Sequence, residues 1–357
     1  MKILVSKFKS LGDVLLVTPL LFNLRKNFPD ANIDVALIHG SEESIANINF
    51  VNDIILFKKK GVTSFKKSLL DLRNLLRIRK KKYDIYIATD RGERSALVSI
   101  FSGSKIRIGR KISDLMPLYR KAYTNYFFHH GDRHVIDLNL DPIRILGKRI
   151  YSRKIQIEIR KETLDRTKSF LKNNQKFIHI HPVSMCLYKC INDKTMAQII
   201  DYCEFNLHVK VVLTSSPIEK EMKKMDSIMK YVDSNPIDLS GKLTFEETIA
   251  INSLSSLAIT VDTAIAHVAY SNNIPSVVFF GPTKVNCWGP YNSSPNQKYN
   301  EFNNSLIVQI GKNDIFLNKM NCVPCAQVGC NNSGKSQCLE SLDLSEIQQI
   351  LKNKKIL

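Results

Sequence analysis

The chain has 357 residues, of which 44% are hydrophobic and 24% are charged. This length suits two domains with a core each, and this composition excludes disordered and fibrous proteins. No apolar run approaches the roughly 18 residues that a membrane-spanning helix needs. The first residues, 1–5, enter a strand pattern without the layout of a signal peptide, so we expect a cytoplasmic protein.

The formal net charge of +19 is unevenly distributed. Residues 1–178 hold 36 Lys and Arg against 17 Asp and Glu, residues 179–357 hold 16 of each, and every arginine lies in the first half. This partition predicts that the first half meets a polyanion, namely nucleic acid, anionic lipid or a phosphorylated glycolipid. Drift towards lysine in an AT-rich genome is the alternative, and it explains the arginines less well.

The first half alternates short apolar runs with helical patterns. The patterns predict strands at 3–5, 33–38, 54–57 and 83–88, and helices at 14–28 and 64–82, the second with a dense basic face. Such alternation is typical of parallel βαβ units. Residues 102–125 are rich in Lys, Arg, Gly and Ser, and they are predicted as loops at the mouth of a site.

A charged helix over 160–176 ends in a polar stretch that is interpreted as a linker, and the alternation then restarts. The second half has predicted strands at 177–180, 210–214, 257–261 and 277–280, and predicted helices at 194–203, 219–229, 245–253 and 264–270. We therefore predict an α/β protein with one Rossmann-like domain over 1–172, a second over 177–340 and a cleft between them. The terminal helix in 341–357 is expected to pack back on the first domain.

The segment from Lys9 to Leu21 places Gly12 and Asp13 at a strand-to-helix turn. The carboxyl edge of a parallel sheet is the usual ligand crevice, so the Asp13 carboxylate is a candidate catalytic group. The alternative is that Asp13 only caps the helix. The dinucleotide fingerprint Gly-x-Gly-x-x-Gly is absent from this turn, which counts against an NAD enzyme.

Two segments of the second half suit a phosphate group. Residues 178–185 form a strand and a polar loop that contains Ser184, and Lys189 follows near a helix start. Residues 259–269 place Asp262, Thr263 and Ala264 at a strand-to-helix turn, with His267 one turn later on the same side. The alternative for this second turn is a capped helix with a core histidine. Metal binding at His179 and His181 is disfavoured, since no third ligand is evident.

Four cysteines cluster near the end of the chain with C-x2-C-x4-C-x7-C spacing. A disulfide is disfavoured in the cytoplasm, which leaves either structural zinc or reduced structural thiols. The four residues are Cys322, Cys325, Cys330 and Cys338.

Together these segments resemble glycosyltransferase family 9, the ADP-heptose:lipopolysaccharide heptosyltransferases, and within it the heptosyltransferase III branch. The resemblance spans nearly the whole chain. It is carried by Ser10-Leu-Gly-Asp-Val-Leu-Leu-Val-Thr-Pro, His181-Pro with Lys189, Val261-Asp-Thr-Ala-Ile-Ala-His and Phe280-Gly-Pro-Thr. Each motif is weak alone, but four in this order are specific.

The resemblance implies a GT-B fold with the acceptor on the first domain and the ADP-sugar on the second. It implies Asp13 as the base that deprotonates the acceptor hydroxyl, Lys189 as the cation on the ADP phosphates and Glu219 as the ribose ligand. The backbone of Leu243 would meet adenine. The implied donor site comprises Ser184, Lys189, Glu219, Leu243, Asp262, Thr263, Ala264 and His267. The acceptor candidates are Gly12, Arg91, Arg94, Arg110 and Arg120.

Two positions depart from the family pattern. Ala264 replaces a usual glycine, and Cys190 replaces an aromatic that often follows the lysine. The implied reaction is inverting transfer of heptose from ADP-heptose to the phosphorylated inner core of lipopolysaccharide, at the inner face of the cytoplasmic membrane with its anionic surface. The sequence has no Asp-x-Asp, so we expect no divalent metal in transfer.

Two rival functions remain open. One is a GT-B transferase that uses another nucleotide sugar. The other is a basic nucleic-acid-binding protein, which is disfavoured because the basic helix lacks interleaved aromatics and the chain has no reader motif. We therefore expect no nucleic-acid partner.

Overall fold

A computed structural model describes residues 1–59, 65–111, 121–128, 131–171, 176–291 and 298–354. The chain divides into two compact units, Met1–Glu158 and Ile159–Leu357. Each has the α/β architecture that the alternation predicts. Within the described ranges, no helix is both long and apolar enough to cross a bilayer.

The first unit is built on a parallel sheet. Its strands are β1 (Lys2–Lys7), β2 (Asn32–Ile38), β3 (Asp53–Phe57), β4 (Ile85–Ala88), β5 (Ile106–Arg110) and β6 (Asn125–Phe127). Its helices are α1 (Leu11–Leu15), α2 (Thr18–Asn27), α3 (Phe65–Lys81), α4 (Glu93–Ser102), α5 (Val135–Asn139) and α6 (Asp141–Ile145).

The strand order in this sheet is β3-β2-β1-β4-β5-β6. The central strand β1 pairs in parallel with β2 and β4, and Ile3 lies opposite Ile33 and Ile85. Strands covered by helices on both faces read as continuous apolar runs, and β1 and β2 are buried along almost their whole length. Because β1 is central, the turn that follows it lies at the middle of the sheet's carboxyl edge.

The second unit begins with helix α7 (Lys161–Phe170). Its strands are β7 (Phe177–His181), β8 (Lys210–Leu213), β9 (Ile237–Asp238), β10 (Leu257–Val261), β11 (Ser276–Phe280), β12 (Lys298–Glu301), β13 (Ser305–Ile310) and β14 (Asn313–Asn318). Its further helices are α8 (Asp193–Asp201), α9 (Glu219–Met229), α10 (Phe245–Leu254), α11 (Ala264–Ser271), α12 (Val285–Trp288), α13 (Gln337–Glu340) and α14 (Leu344–Asn353).

The second sheet has the order β12-β13-β14-β11-β10-β7-β8-β9. Its pairs from β14 to β9 are parallel, whereas β12–β13 and β13–β14 are antiparallel. The central strands β7 and β10 are completely buried. Both sheets therefore have the Rossmann-like layout in which ligands bind beyond the carboxyl ends of the strands.

The boundary between the units, at Glu158–Ile159, differs from the predicted linker at 172–176, of which 172–175 lie outside the described residues. Helix α7 packs on α10 in the second unit, and two ion pairs join them: Arg160 to Glu246 at 2.5 Å and Arg166 to Glu247 at 2.9 Å. The helix therefore belongs to the second unit, and the change of unit precedes it.

The terminal helix also differs from its predicted position on the first domain. Ile347, Ile350 and Leu351 of α14 are buried in the core of the second unit, together with Ile199 and Ile200 of α8. The apolar stripe of α14 is thus satisfied within the second unit.

Candidate functional site

Asp13 lies in the first turn of α1, directly beyond the end of β1. The N-cap position is held by Ser10, whose hydroxyl donates a 2.7 Å hydrogen bond to Asp13 Oδ2. The Asp13 side chain is 24% exposed. Asp13 is therefore not the N-cap residue, and its carboxylate is held by Ser10 while still reaching solvent.

A buried lysine stands beside this carboxylate. Lys7 is 4% exposed, and its Nζ lies 3.9 Å from Asp13 Oδ1 and 3.4 Å from the carbonyl oxygen of Thr89. Burial lowers the pKa of Lys7, whereas Asp13 and the buried Asp90 raise it. The sequence reasoning missed Lys7, although a lysine ending an apolar strand is a signal of a charge held at the sheet edge.

Asp90 fixes the turn after the neighbouring strand β4. Its carboxylate accepts hydrogen bonds from the backbone N–H of Phe8 at 2.6 Å and of Gly92 at 3.2 Å, and a short one from the Ser95 hydroxyl. Since β1 and β4 are adjacent, Asp90 ties together the two turns that carry Asp13 and Arg91.

Arg110 adds a second cation, half-buried, at the end of β5. Burial, followed by the nearby charge of Arg91, lowers the pKa of Arg110 to about 10. Within the described residues, its buried Nε has no hydrogen-bond partner. Two arginines that repel each other, one with an unused donor, favour an anionic ligand. The structure therefore brings Arg91 and Arg110 to the sheet edge that carries Gly12 and Asp13.

Arg94 is engaged elsewhere. Its guanidinium donates to the carbonyl oxygen of Lys58 at 2.7 Å, lies 3.9 Å from Asp71 and stacks 5.4 Å from the ring centroid of Phe8. These contacts favour a structural role over the predicted acceptor contact. Arg120 lies outside the described residues, so its assignment stays a prediction.

In the second unit, the predicted donor residues follow four adjacent strands, β10-β7-β8-β9. Ser184 and Lys189 follow β7, Glu219 follows β8, Leu243 follows β9, and the loop from Asp262 to Ala264 follows β10. Because these strands are parallel, their carboxyl ends share one edge of the sheet.

The closest contact at this edge joins Lys189 and Asp262. Lys189 ends a short 3-10 turn (Leu187–Lys189), and its Nζ lies 2.6 Å from Asp262 Oδ2. Asp262 is buried and Lys189 is 22% exposed. The buried Ser184 shapes the same loop, since its hydroxyl accepts the backbone N–H of Cys186 at 3.2 Å. The ammonium is thereby held beside the start of α11.

Helix α11 begins immediately after Asp262. Thr263 is its extended N-cap residue, and its side chain makes no capping hydrogen bond to any described residue. Ala264 is the first helical residue, and the buried His267 follows one turn later with its ring 6.0 Å from that of Tyr270. The first N–H groups of such a helix form an anion site, and Lys189 lies beside it.

Glu219 and Leu243 are placed less centrally. Glu219 is largely exposed and pairs with Lys223 at 2.7 Å, so its carboxylate faces solvent. Glu221, which the sequence reasoning missed, is buried, and its Oε2 accepts both the N–H and the hydroxyl of Ser216 at 3.0 and 2.6 Å. The Leu243 side chain is buried in a core cluster, which leaves only its backbone for a ligand.

The two histidines of β7 belong to a buried hydrogen-bond network. Thr214 Oγ1 lies 2.8 Å from His179 Nε2 and 2.9 Å from His181 Nδ1, and the Asn252 amide lies 3.2 Å from His179 Nδ1. Burial lowers the pKa of His179 to about 3 and that of His181 to about 4, so both rings are neutral.

The four clustered cysteines differ in exposure. Cys322 and Cys330 are exposed, Cys325 is half-buried and Cys338 is buried. Burial, with the other three thiols nearby, raises the pKa of Cys338 to about 11, which favours its thiol form. Among the described residues, no three His, Cys, Asp or Glu side chains are grouped closely enough to hold a metal ion. Structural zinc stays a prediction that metal analysis of the purified protein would test.

Comparisons with known proteins bear on the family and the fold of this chain. Residues 72–314, more than half of the chain, match the family model of glycosyltransferase family 9 (heptosyltransferase). A lipopolysaccharide heptosyltransferase 3 of Escherichia coli is 27% identical over 293 residues, which cover 79% of this chain and 84% of the relative.

Two solved structures share the fold. The ADP-heptose lipopolysaccharide heptosyltransferase II of Escherichia coli has a TM-score of 0.75 at 16% identity and covers 99% of this chain and 98% of its own. A family 9 glycosyltransferase of Veillonella parvula has a TM-score of 0.70 at 23% identity, covering 81% and 83%. The predicted GT-B fold is confirmed, and the chain belongs to glycosyltransferase family 9, the heptosyltransferases.

Proposed function

We propose that this glycosyltransferase moves heptose from ADP-heptose to the inner core of lipopolysaccharide, with inversion and without a divalent metal. The observation that carries the proposal is the Lys189–Asp262 pair beside the N-terminus of α11. A diphosphate needs compensating positive charge, and a lysine plus free helix N–H groups provide it. The names of the relatives support a heptose donor, an ADP leaving group and a lipopolysaccharide acceptor.

The base in this proposal is Asp13. Its carboxylate takes the proton of the acceptor hydroxyl while that oxygen attacks the anomeric carbon from the face opposite ADP. Ser10 and Lys7 hold the carboxylate in place through the 2.7 Å hydrogen bond and the 3.9 Å contact. Arg91 and Arg110 would bind a phosphate of the acceptor, because Arg110 retains an unused buried donor among the described contacts.

Charge builds on the ADP phosphates as the glycosidic bond to the donor breaks. Lys189 and the N–H groups at the start of α11 would stabilise this charge by preorganised electrostatics. Asp262 holds the Lys189 ammonium at 2.6 Å before the donor arrives. The sequence contains no Asp-x-Asp for a metal, so these groups would carry the whole compensation.

The test is transfer by the purified protein, with ADP-heptose and lipopolysaccharide that lacks side heptose, followed by mass spectrometry of the core. We expect a mass increase of one heptose with ADP-heptose and none with UDP- or GDP-sugars. If another sugar were added and heptose were not, the assignment of ADP-heptose as the donor would be wrong, whereas the assignment as a glycosyltransferase would stand. Because the acceptor is anchored in a bilayer, we also place the reaction at the inner face of the cytoplasmic membrane.

A further inference from the structure

Helices α3 and α4 lie side by side on one face of the first sheet. Each connects parallel strands, β3 to β4 and β4 to β5, and both connections progress in the same direction across the sheet. Right-handed crossovers place such helices on the same side. Their C-terminal ends meet, since the Arg79 guanidinium near the end of α3 occupies the space that a Cβ on Gly103, just after α4, would need.

Helix α3 carries exposed leucines on its outward side. Asn74 and Ile78 are buried against the sheet. Leu72 and Leu76 lie one turn apart on the outward side, and they are 49% and 57% exposed. Arg73 and Lys80 flank these leucines and are also exposed. Scattered exposed leucines are ordinary on a surface, but a leucine stripe bordered by cations is not scattered.

Helix α4 continues the same pattern. Leu97, Ile100 and Phe101 follow helical spacing on its outward side and are 40%, 37% and 37% exposed. Immediately after the helix, Lys105 is exposed and Ile106 is 38% exposed. The outward side of α4 is therefore apolar where a water-facing helix would be polar.

The α3–α4 face consists of an apolar set and a basic set. The apolar set is Leu72, Leu76, Leu97, Ile100 and Phe101, and the basic set is Arg73, Arg79, Lys80 and Lys105. Among the described residues on the outward sides of α3 and α4, Glu93 at the start of α4 is the one exposed acidic residue. Apolar side chains that enter the acyl boundary, bordered by cations that meet phosphate headgroups, are typical of helices lying in a membrane interface.

We infer that the α3–α4 face docks the protein on an anionic phospholipid surface. The inference rests on the proposed function, because an acceptor anchored in a bilayer requires the enzyme to work at that bilayer. The leucines and Phe101 supply burial, and the basic set supplies attraction to headgroups.

The test is binding of the full-length protein to sedimented vesicles of phosphatidylcholine, alone or mixed with phosphatidylglycerol. Leu72→Ser/Leu76→Ser should weaken binding to mixed vesicles at least about tenfold. Arg73→Gln/Lys80→Gln should weaken it about fivefold per residue removed, and only with the anionic lipid. The matched controls Phe205→Ser and Lys220→Gln change exposed residues of the second unit and should bind as the wild type does.

The inference would be overturned if both double variants bound vesicles as the wild type does, or if the wild type bound neutral and anionic vesicles equally. It would also be overturned if the leucine variant lost self-association while its vesicle binding stayed intact. This last result would make the face a protein interface. Heptose transfer to a soluble core oligosaccharide, measured without detergent, distinguishes failure of the docking inference from failure of the proposed function. We expect the double variants to keep that transfer and their melting temperatures.

Discussion

At the scale of single residues, the Asp13 carboxylate accepts a hydrogen bond from the Ser10 hydroxyl at 2.7 Å and lies 3.9 Å from the Lys7 ammonium.

The sharpest prediction at this scale concerns Asp13. Asp13→Asn keeps the shape and the hydrogen bond from Ser10 but removes the proton acceptor. We expect it to melt near the wild-type temperature and bind ADP normally, yet transfer heptose at least ~100-fold more slowly. The control is Asp30→Asn, which changes an exposed carboxylate of the same unit. Wild-type turnover in Asp13→Asn would move the search for the base to other carboxylates such as Asp90 or Glu93.

A second residue-scale prediction concerns Lys189. Lys189→Ala removes the cation beside α11 and leaves the buried Asp262 carboxylate without its 2.6 Å partner. We expect ADP affinity and turnover to fall together, with a loss of ~2–4 kcal/mol in transition-state terms measured from kcat/KM. Lys220→Gln, an exposed lysine of the same unit, is the control. Near-native kinetics in Lys189→Ala would mean that other groups hold the phosphates.

The local sequence predicts where these charged groups leave the strands but not how they are paired. Asp13, Lys189 and Asp262 are identifiable because each follows a predicted strand. Lys7 and Glu221 are not, because the burial of a charge depends on neighbouring strands that are distant in sequence. Glu219 faces solvent, although it lies only two positions before the buried Glu221.

At the scale of elements, periodicity predicted most strands and helices, and tertiary constraints explain the exceptions. The helix predicted over 14–28 is divided into α1 and α2, because α2 starts at Thr18-Pro19 and proline is suited to the first turn of a helix. The sequence predicts a loop where strand β5 lies, since Arg107 and Gly109 interrupt its apolar pattern. It predicts no strand where the antiparallel strands β12–β14 lie.

Strand β7 gives an element-scale prediction about pH. The folded pKa values of His179 and His181, about 3 and about 4, lie below the usual 6.5. The neutral pair therefore contributes stability that is present above pH 6.5 and lost as pH falls towards 4. The free energy of unfolding should decrease by ~1.4 kcal/mol per pH unit for each histidine in this window.

The check is denaturant unfolding at pH values across that window. His181→Asn should reduce the slope, and His39→Asn, which changes a side chain that is 75% exposed, is the matched control. An equal slope in the wild type and His181→Asn would assign the acid sensitivity to carboxylates instead.

At the scale of the whole molecule, the basic and the neutral parts of the chain are compared again across the boundary between the two units. The first unit, residues 1–158, holds 30 Lys and Arg against 15 Asp and Glu, and the second holds 22 against 18. Arg160 and Arg166 belong to the second unit, where each pairs with a glutamate of α10. The first unit remains strongly basic, and its excess charge includes the α3–α4 face.

A whole-molecule prediction follows for metal dependence. In the proposed mechanism, positive charge from Lys189 and α11 takes the place that a divalent ion has in many transferases. We expect turnover to be unchanged by EDTA and by added magnesium or manganese, measured as ADP release. Activity that disappears in EDTA and returns with either metal would contradict the proposal.

The second sheet ends in strands that discourage association. At one edge, β12 is exposed at all four residues and carries Lys298 and Glu301 at its ends; at the other edge, β9 has two residues. Unpaired strand edges recruit strands of other molecules, and short or charged edges resist this. Replacing Lys298 and Glu301 of β12 with valine should therefore promote ordered aggregation in concentrated solution before it lowers the melting temperature. The colloidal stability of the protein thus depends on an edge strand that lies outside the candidate site.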